Sequence, residues 1–592
     1  MKRLLMTGLL IFGAISSGKV AMAKKIDKEA LANKIKALAG LDAEERSELL
    51  GLLSERKKYG LVWEEKPEDV VEVMREQLPV LAEVKERAIV TSTPSAPNHI
   101  LIEGDNLHAL TCLTYTHSNK VDVIYIDPPY NTGNKDFVYN DRFVDKEDAF
   151  RHSKWLSFME KRLRIAKGLL SDKGVIFISI DDNEQAQLKL LCDEIFGEEN
   201  FVNQFIWKRN SSGKTEKDKF TVNTEYVLLY KKSAKCILNS AYKPLADATI
   251  ALYKKDDHDG RGRYRLYPLQ KPSSPGPETT YDYVDNHGKV WKCPPKGWRI
   301  KFEKLKALEN DGRLCLENET LSEKAYWNER ASEGKRIDTL WIDLPENTAA
   351  TKEVSALFGG EVVFTNPKPT ELIKRCLQVG FANATILDFF AGSGTTLHAV
   401  MKLNAEDGGK RTCILVTNNE NGICEKVTYE RNRRVIQGYT NTKGEAVPGL
   451  QDNSLRYYKT EFVPRRPSPR NARALMAASV DLLCVKNDLY DEVPRFFGKK
   501  LKKSAGRYFD DGRGRRMLVL FDEMTVPSVA ETIRGASFKG KVKIYVFAHG
   551  DYAYNEEFEE VADKVELCAL PAAIRNAYRR VIGKYRPQED VE

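Results

Sequence analysis

The sequence predicts an α/β protein built on a doubly wound, mostly parallel sheet. Three observations lead there. Short Val- and Ile-rich runs alternate with segments of helical spacing, the pattern of parallel strands joined by crossover helices. Two of these runs end in stiffened or glycine-rich corners, Asp127-Pro128-Pro129-Tyr130 and Asp388-Phe389-Phe390-Ala391-Gly392-Ser393-Gly394. At 592 residues the chain is also too long for one hydrophobic core, so several domains are expected.

The composition is that of a soluble globular protein: 42% hydrophobic, 30% charged, with a formal net charge of +8. A mild basic excess suits nucleic-acid binding without requiring it. Ten cysteines lie scattered with no CxxC pair, which argues for reduced thiols in a cytoplasmic protein. The eight histidines form no HxxxH or Cys/His cluster, so no metal site is expected.

At the start, Lys2-Arg3, an apolar run from Leu4 to Ile15 and Ala21-Met22-Ala23 have the form of a signal peptide. This signal-like segment spans 1–22, and a competing reading is favoured, in which translation starts at Met22 and the first 21 residues come from a wrongly assigned upstream start. From Ile26 to about Arg87 apolar residues recur at helical steps, giving an N-terminal helical region over 23–92. Thr91-Ser92-Thr93-Pro94-Ser95-Ala96-Pro97 reads as a linker.

The first half of the sheet domain spans 93–204. His99 to Glu103 is a strand closing in Gly104-Asp105-Asn106, and a helix runs to about Tyr115. Val121 to Ile126 is a buried strand stopped by Asp127-Pro128-Pro129-Tyr130. Proline lacks an N–H and fixes φ, so the sheet cannot continue through it. A helix from Arg151 to Leu170, a strand from Gly174 to Ile180 and a helix to about Phe196 follow.

Over 205–350 the alternation is lost. Tyr and Trp sit among basic residues: Trp207-Lys208-Arg209, Arg261 to Arg265, Trp291-Lys292, Trp298-Arg299. Such interleaving suits a surface that grips phosphates and stacks bases. The alternative is an insertion whose aromatics form their own small core, and for any single residue here that reading is favoured. The rhythm returns over 351–464: Phe364 to Pro369 forms a second proline corner, Glu371 to Leu377 a helix, and Ala384 to Phe390 a strand. A glycine turn then enters a helix, Thr412 to Val416 is the next strand, and Asn453 to Phe462 the last. After Arg465-Arg466-Pro467-Ser468-Pro469-Arg470, residues 465–592 read as a small C-terminal α/β domain, with strands at Met517 to Phe521 and Lys543 to Phe547 and a helix at Ala572 to Tyr585.

The chemistry concentrates at the two corners. A strand ending in an acid and aromatics, then Gly-x-Gly entering a helix, lets backbone approach a ligand closely. Glu420, beyond the next strand, is placed to hydrogen-bond a ribose. No Gly-Lys-Ser/Thr follows, so this is not a phosphate-binding P-loop. At the other corner, Asp127 and the Pro128 carbonyl can accept the two N–H bonds of an exocyclic amino group. That localises its lone pair for attack, while Tyr130 offers a face for the base. A base in a duplex reaches such a pocket only by flipping out, at about a few kcal/mol.

Together, Asp127-Pro128-Pro129-Tyr130 and the distant Asp388-Phe389-Phe390-Ala391-Gly392-Ser393-Gly394-Thr395-Thr396 resemble S-adenosylmethionine-dependent DNA amino-methyltransferases of the beta order. Lys57-Lys58-Tyr59-Gly60-Leu61-Val62-Trp63-Glu64, Glu103 to Leu107 and Ile126 to Asn134 are similar to the modification (Mod) subunits of type III restriction systems. The likeness covers about residues 45–464. It implies a Rossmann-like methyltransferase sheet with permuted motif order and a target-recognition domain inserted between its halves. It implies Asp127, Pro128, Pro129 and Tyr130 as catalytic residues. Asp388, Phe390, Gly392, Gly394, Glu420, Lys368 and Asp105 would bind S-adenosyl-L-methionine, with Lys368 meeting the methionine carboxylate and Asn366 and Pro369 in the same additional motif. Asp in the first motif position implies adenine N6 rather than cytosine N4. The implied partners are double-stranded DNA, a second copy of the chain, and a helicase-nuclease restriction subunit.

Overall fold

The computed structural model describes residues 62–570 and 574, apart from 135, 141, 213–217, 219, 239–241, 244–246, 272–275, 316–319, 331–334, 380–381, 467 and 548–553. The signal-like leader, most of the N-terminal helical region, Lys57 to Leu61, part of the linker at 465–470 and, apart from Ile574, the expected Ala572–Tyr585 helix lie outside the described residues. Residues from Trp63 onward form one compact unit.

Its centre is a ten-stranded sheet. In chain order the strands are β1 (Gln77–Glu83), β2 (Asn98–Glu103), β3 (Val121–Ile126), β4 (Leu170–Ile180), β5 (Phe201–Lys208), β6 (Thr224–Lys231), β7 (Leu340–Trp341), β8 (Thr385–Asp388), β9 (Thr412–Thr417) and β10 (Ser454–Pro464). In space they run β1-β10-β2-β9-β8-β3-β4-β6-β5-β7. The block from β10 to β4 is parallel, while β6 is antiparallel to both β4 and β5. The central strands β3, β8 and β9 are apolar on both faces, as a sheet covered by helices on each side demands. Strands β8 and β9, from late in the chain, lie between β2 and β3, from its beginning.

Ten helices matter here: α1 (Asp69–Glu76), α2 (Asn106–His117), α3 (Arg151–Leu169), α4 (Gln185–Phe196), α5 (Asn347–Leu357), α6 (Thr370–Leu377), α7 (Thr395–Asp407), α8 (Glu430–Gln437), α9 (Pro469–Asn487) and α10 (Val526–Gly535). The chain leaves β3 through α3 toward β4, and leaves β8 through α7 in the opposite direction toward β9. Crossovers are right-handed, so α3 and α7 fall on opposite faces. The β8/β3 boundary is therefore the point where the winding reverses, and ligands bind at the strand ends there.

Several sequence expectations are corrected. Residues 77–83 form an edge strand rather than a continuing helix; they pair with β10, and Pro79 is tolerated because an edge strand leaves one row of N–H groups unpaired. The boundary placed at 205 falls inside β5. Strands β5 and β6 complete the main sheet, because Phe205, Trp207, Val227 and Leu229 share its core with Trp341. The irregular segment thus begins after Lys231. Likewise the boundary at 465 is followed by α9, which packs on β1, α2 and β10 of the main sheet; Asp481 accepts a hydrogen bond from the Glu83 backbone at 3.0 Å.

The segment between β6 and β7 has its own small core: Leu269, Tyr283, Trp291, Trp298, Leu305, Leu314 and Leu321. It packs around the three strands Tyr264–Pro268, Ser322–Tyr326 and Leu314–Cys315 and a hairpin pairing Tyr283–Val284 with Val290–Trp291. Trp207, Trp291 and Trp298 are buried. Their indoles are thus packing groups rather than stacking faces for bases. The C-terminal part is a second sheet, ordered β11 (Glu492–Val493), β12 (Gly506–Asp510), β13 (Arg516–Leu520), β14 (Val542–Phe547) and β15 (Val565–Leu570), with α10 packed on its core.

Candidate active site

Strands β3 and β8 are adjacent and parallel, Ile386 pairing Val123 and Leu387 pairing Ile124. Each ends in an acid, and both acids line one cavity together with Tyr125, Asn366, Lys368, Phe364, Phe390, Gly392, Ser393 and Thr395. The cavity holds about 380 Å³ of empty space, part of it open to solvent.

At the end of β3 the corner is braced from behind. The Trp155 indole N–H of α3 donates to the Pro129 carbonyl at 2.7 Å. Asn131 takes a left-handed backbone, φ 58°, and its amide donates to Glu184 at 2.6 Å. His152 Nδ1 lies 2.7 Å from the same Glu184 oxygen. Burial pushes the Glu184 carboxyl up to about 8, the Asn131 hydrogen bond opposing.

The other side of this corner carries five linked groups. Tyr130 Oη donates to Asp127 Oδ1 at 2.9 Å and lies 3.1 Å from Glu225 Oε2. Lys368 Nζ donates to Asp127 Oδ2 at 2.9 Å and lies 3.4 Å from the same Glu225 oxygen. Arg209 Nη1 donates to Glu225 Oε1 at 3.0 Å. Burial pushes the Asp127 carboxyl up; Lys368 opposes this and Glu225 reinforces it. For Lys368 burial pulls downward, yet Asp127 and Glu225 outweigh it and its ammonium is held above the usual lysine range.

The end of β8 is built differently. Asp388 accepts from the Phe390 backbone at 3.0 Å and from the Thr396 hydroxyl at 2.5 Å. Burial pushes its carboxyl up to about 7. The turn needs glycine at position 394: φ is 75°, and a Cβ there would sit 2.4 Å from the Asn432 amide nitrogen. A π-helical stretch, Ile423–Tyr429, runs into α8 and clamps the turn. From it the Thr428 hydroxyl donates to the Gly392 carbonyl at 2.6 Å. Arg431, fully buried, donates to the Ser393 and Thr395 hydroxyls at 3.0 and 2.6 Å.

Of the residues read from sequence, Asp127, Lys368, Asp388, Phe390 and Gly392 meet at the cavity, with Asn366 beside them. Tyr130 joins through Asp127. Gly394 shapes the turn. Pro369 caps the N-terminus of α6. Asp105 caps α2, accepting from the Leu107 and His108 backbones at 2.8 and 3.4 Å. Glu420 is exposed in a short turn beyond β9. Neither of these two is among the residues lining the cavity. Lys368 contacts Asp127 and Glu225 in this structure. Sequence reasoning did not single out Glu225 and Arg209 as parts of this corner, Trp155 as its brace, or Arg431 as an inward-facing support. For Trp155, its place on the helix directly after the corner was the available signal.

Comparison with known proteins fits this geometry. Residues 121–437 match the family model for DNA methylases. The chain is 37% identical over 365 residues to the type III restriction-modification enzyme StyLTI Mod subunit of Salmonella typhimurium, covering 56% of this chain and 55% of that protein. It is 34% identical over 406 residues to the type II methyltransferase M.KpnI of Klebsiella pneumoniae, covering 64% and 94%. It is 32% identical over 368 residues to the EcoP15I Mod subunit of Escherichia coli, covering 52% and 56%. The matched region thus spans about half the length of these Mod subunits and nearly all of M.KpnI. With the matched region covering more than half of its length and containing both strand-end corners, the chain belongs to the DNA methylase family.

Proposed function

We propose that this protein transfers a methyl group from S-adenosyl-L-methionine to N6 of an adenine flipped out of double-stranded DNA, as the modification and recognition subunit of a type III restriction-modification system. The observation that carries this reading is the convergence of Asp127 and Asp388 on one cavity at the reversal point of the sheet. One strand end is suited to hold a reacting amino group and its neighbour to hold a nucleoside cofactor.

The residues present fit such a cofactor. Gly392 leaves open a place where a Cβ would come within 3.3 Å of the Phe364 ring. Phe364 and Phe390 supply apolar walls, and Ser393, Thr395 and Asp388 supply polar groups along one side. When bound, S-adenosyl-L-methionine supplies an electrophilic methyl carbon on a sulfonium.

The chain's own groups then orient the nucleophile. Asp127 and the Pro128 carbonyl accept the two N6–H bonds and draw the nitrogen out of conjugation. Tyr130 stacks on the flipped base. Holding nitrogen and methyl in line supplies much of the rate through proximity and orientation. The bound cofactor would supply the methyl carbon to the oriented nitrogen, with its thioether as the leaving group. The products are N6-methyladenine, S-adenosylhomocysteine and one proton released from the amino group.

The late placement of the glycine turn, on strands lying between two early ones, supports the permuted motif order of the beta class. The segment between β6 and β7 is the proposed target-recognition domain. Asp105 and Glu420 are retained as proposed cofactor contacts. A second copy of the chain is a proposed partner; the likeness to subunits of type III restriction-modification enzymes supports a helicase-nuclease subunit as a further proposed partner, with the cytoplasm as the proposed setting. Incubating the protein with tritiated S-adenosyl-L-methionine and unmethylated phage λ DNA, then digesting to nucleosides, tests the reading. Label in N6-methyladenine supports it. Label in N4-methylcytosine overturns the base assignment, and no label overturns the activity.

A further inference from the structure

Every donor that holds Asp127 already has a second acceptor in reach. Tyr130 Oη sits 2.9 Å from Asp127 Oδ1 and 3.1 Å from Glu225 Oε2. Lys368 Nζ sits 2.9 Å from Asp127 Oδ2 and 3.4 Å from that same Glu225 oxygen. Lys368 and Glu225 are 8% and 4% exposed, so a lysine displaced from Asp127 has no ready path to water. An uncompensated buried ammonium is costly. Arg209 pins the far oxygen of Glu225 at 3.0 Å, which keeps the near oxygen aimed at the shared point. An amino group arriving at Asp127 must compete with these donors, since both carboxylate oxygens are occupied.

We propose that Glu225 is a positioning residue that takes over Lys368 and Tyr130 from Asp127 as the target amino group binds, so that Asp127 is capped while no base is present and freed when one enters. This rests on the reading of Asp127 as the amino-group acceptor. No bond is made or broken in the exchange. Two hydrogen bonds move from one carboxylate to the other, and the ammonium stays paired throughout. Lys368 thereby acts on the base-binding step rather than on the methionine carboxylate.

The proposal predicts a specific genetic relation between the two residues. Glu225→Gln weakens the alternative acceptor, leaves Lys368 on Asp127 and should slow methyl transfer to unmethylated λ DNA at least tenfold. Binding of S-adenosylhomocysteine, measured by calorimetry, should stay within about threefold of wild type, which also reports that the variant is folded. Removing the lysine removes the need for the acceptor. The double variant Glu225→Gln/Lys368→Met should therefore transfer methyl groups faster than Glu225→Gln alone, a suppression that a merely structural role would not produce. Should Glu225→Gln not fold, Glu225→Asp, which withdraws the oxygens by one methylene, carries the same expectations. A Glu225 variant as active as wild type, or a double variant no faster than the single, overturns the proposal. So does a Lys368→Met variant whose main loss is in S-adenosylhomocysteine binding. Wild-type protein that labels no DNA overturns the methyltransferase reading itself, and this inference with it.

Discussion

At the end of β3 the functional groups are tied together by charge, whereas at the end of β8 they are fixed by backbone shape and mostly by neutral donors. Asp127, Lys368, Glu225 and Arg209 form a chain of alternating sign joined through Tyr130. The glycine turn instead relies on left-handed backbone at Gly392 and Gly394, the Thr428 hydroxyl and the Asn432 amide; Arg431 supports it from behind. The two ends are neighbours in the sheet, so position does not explain the contrast. Task does. A site that must accept and release a donor profits from exchangeable ionic partners, while a site that must present backbone closely profits from a rigid turn.

The largest expected effect breaks the first half of that contrast. Asp127→Ala should lower methyl transfer by roughly a hundred- to a thousandfold or more, the scale for losing one preorganised polar group. S-Adenosylhomocysteine should still bind within about threefold, because the turn after β8 does not depend on Asp127 for its shape. Tritium transfer and calorimetry separate the two. A variant that keeps transferring methyl groups would remove Asp127 from the mechanism.

Next comes the buried acid of the rigid half. Burial pushes Asp388 up to about 7, so the folded protein holds this proton more tightly than the unfolded chain does. Its ionisation therefore lowers stability as pH rises from about 4 toward about 7, by a total on the order of a few kcal/mol, and adds no further change above that. Asp388→Asn should remove this share of the pH dependence. Urea midpoints from pH 4 to 8 should converge toward the acid end and diverge toward the neutral end. Parallel wild-type and variant curves would refute the assignment.

Gly394→Ala tests the backbone itself. A non-glycine residue in left-handed geometry costs about 1–3 kcal/mol, and here the new Cβ would also press on the Asn432 amide at 2.4 Å. S-Adenosylhomocysteine affinity should fall about tenfold in calorimetry. Unchanged affinity would mean that the turn has more slack than its hydrogen bonds suggest.

The same contrast explains what could be read from the chain alone. Proline, glycine and strand period are local signals, so both corners and the strands beneath them were legible. The α2 to α4 and α6 helices were legible for the same reason. Glu225 was not, because one acid in the strand Thr224–Lys231 carries no mark until folding brings it beside Tyr130. Lys368 lies 241 positions from Asp127, a pairing that no local pattern encodes. Trp207, Trp291 and Trp298 could be read either way, because aromatics among basic residues look alike whether the ring faces water or a core; the structure supports the core reading. In β1, Leu78 and Leu81 fit a helical step, and only pairing with β10 makes the segment a strand; Pro79 was the readable warning. The 19-residue helix α9 was passed over because the proline-rich stretch before it resembles a linker, although Ser468 accepts from the Asn471 backbone as its cap.

The smallest effect sharpens the contrast most finely. Tyr130→Phe keeps the ring that would stack on the base and removes only the hydroxyl shared between Asp127 and Glu225. A hydrogen bond to a charged group is worth about 1.5–3 kcal/mol when lost outright, and a neutral one nearer 1. Here Lys368 still bridges both carboxylates, so the loss should sit at the low end, roughly three- to tenfold in methyl transfer, with S-adenosylhomocysteine binding unaffected. Tyr130→Ala removes the face as well and should cost a further tenfold or so, the scale of about 1–3 kcal/mol for base–aromatic stacking. If the two variants are equally slow, the hydroxyl carries the whole contribution of Tyr130, and the base must be held by another group.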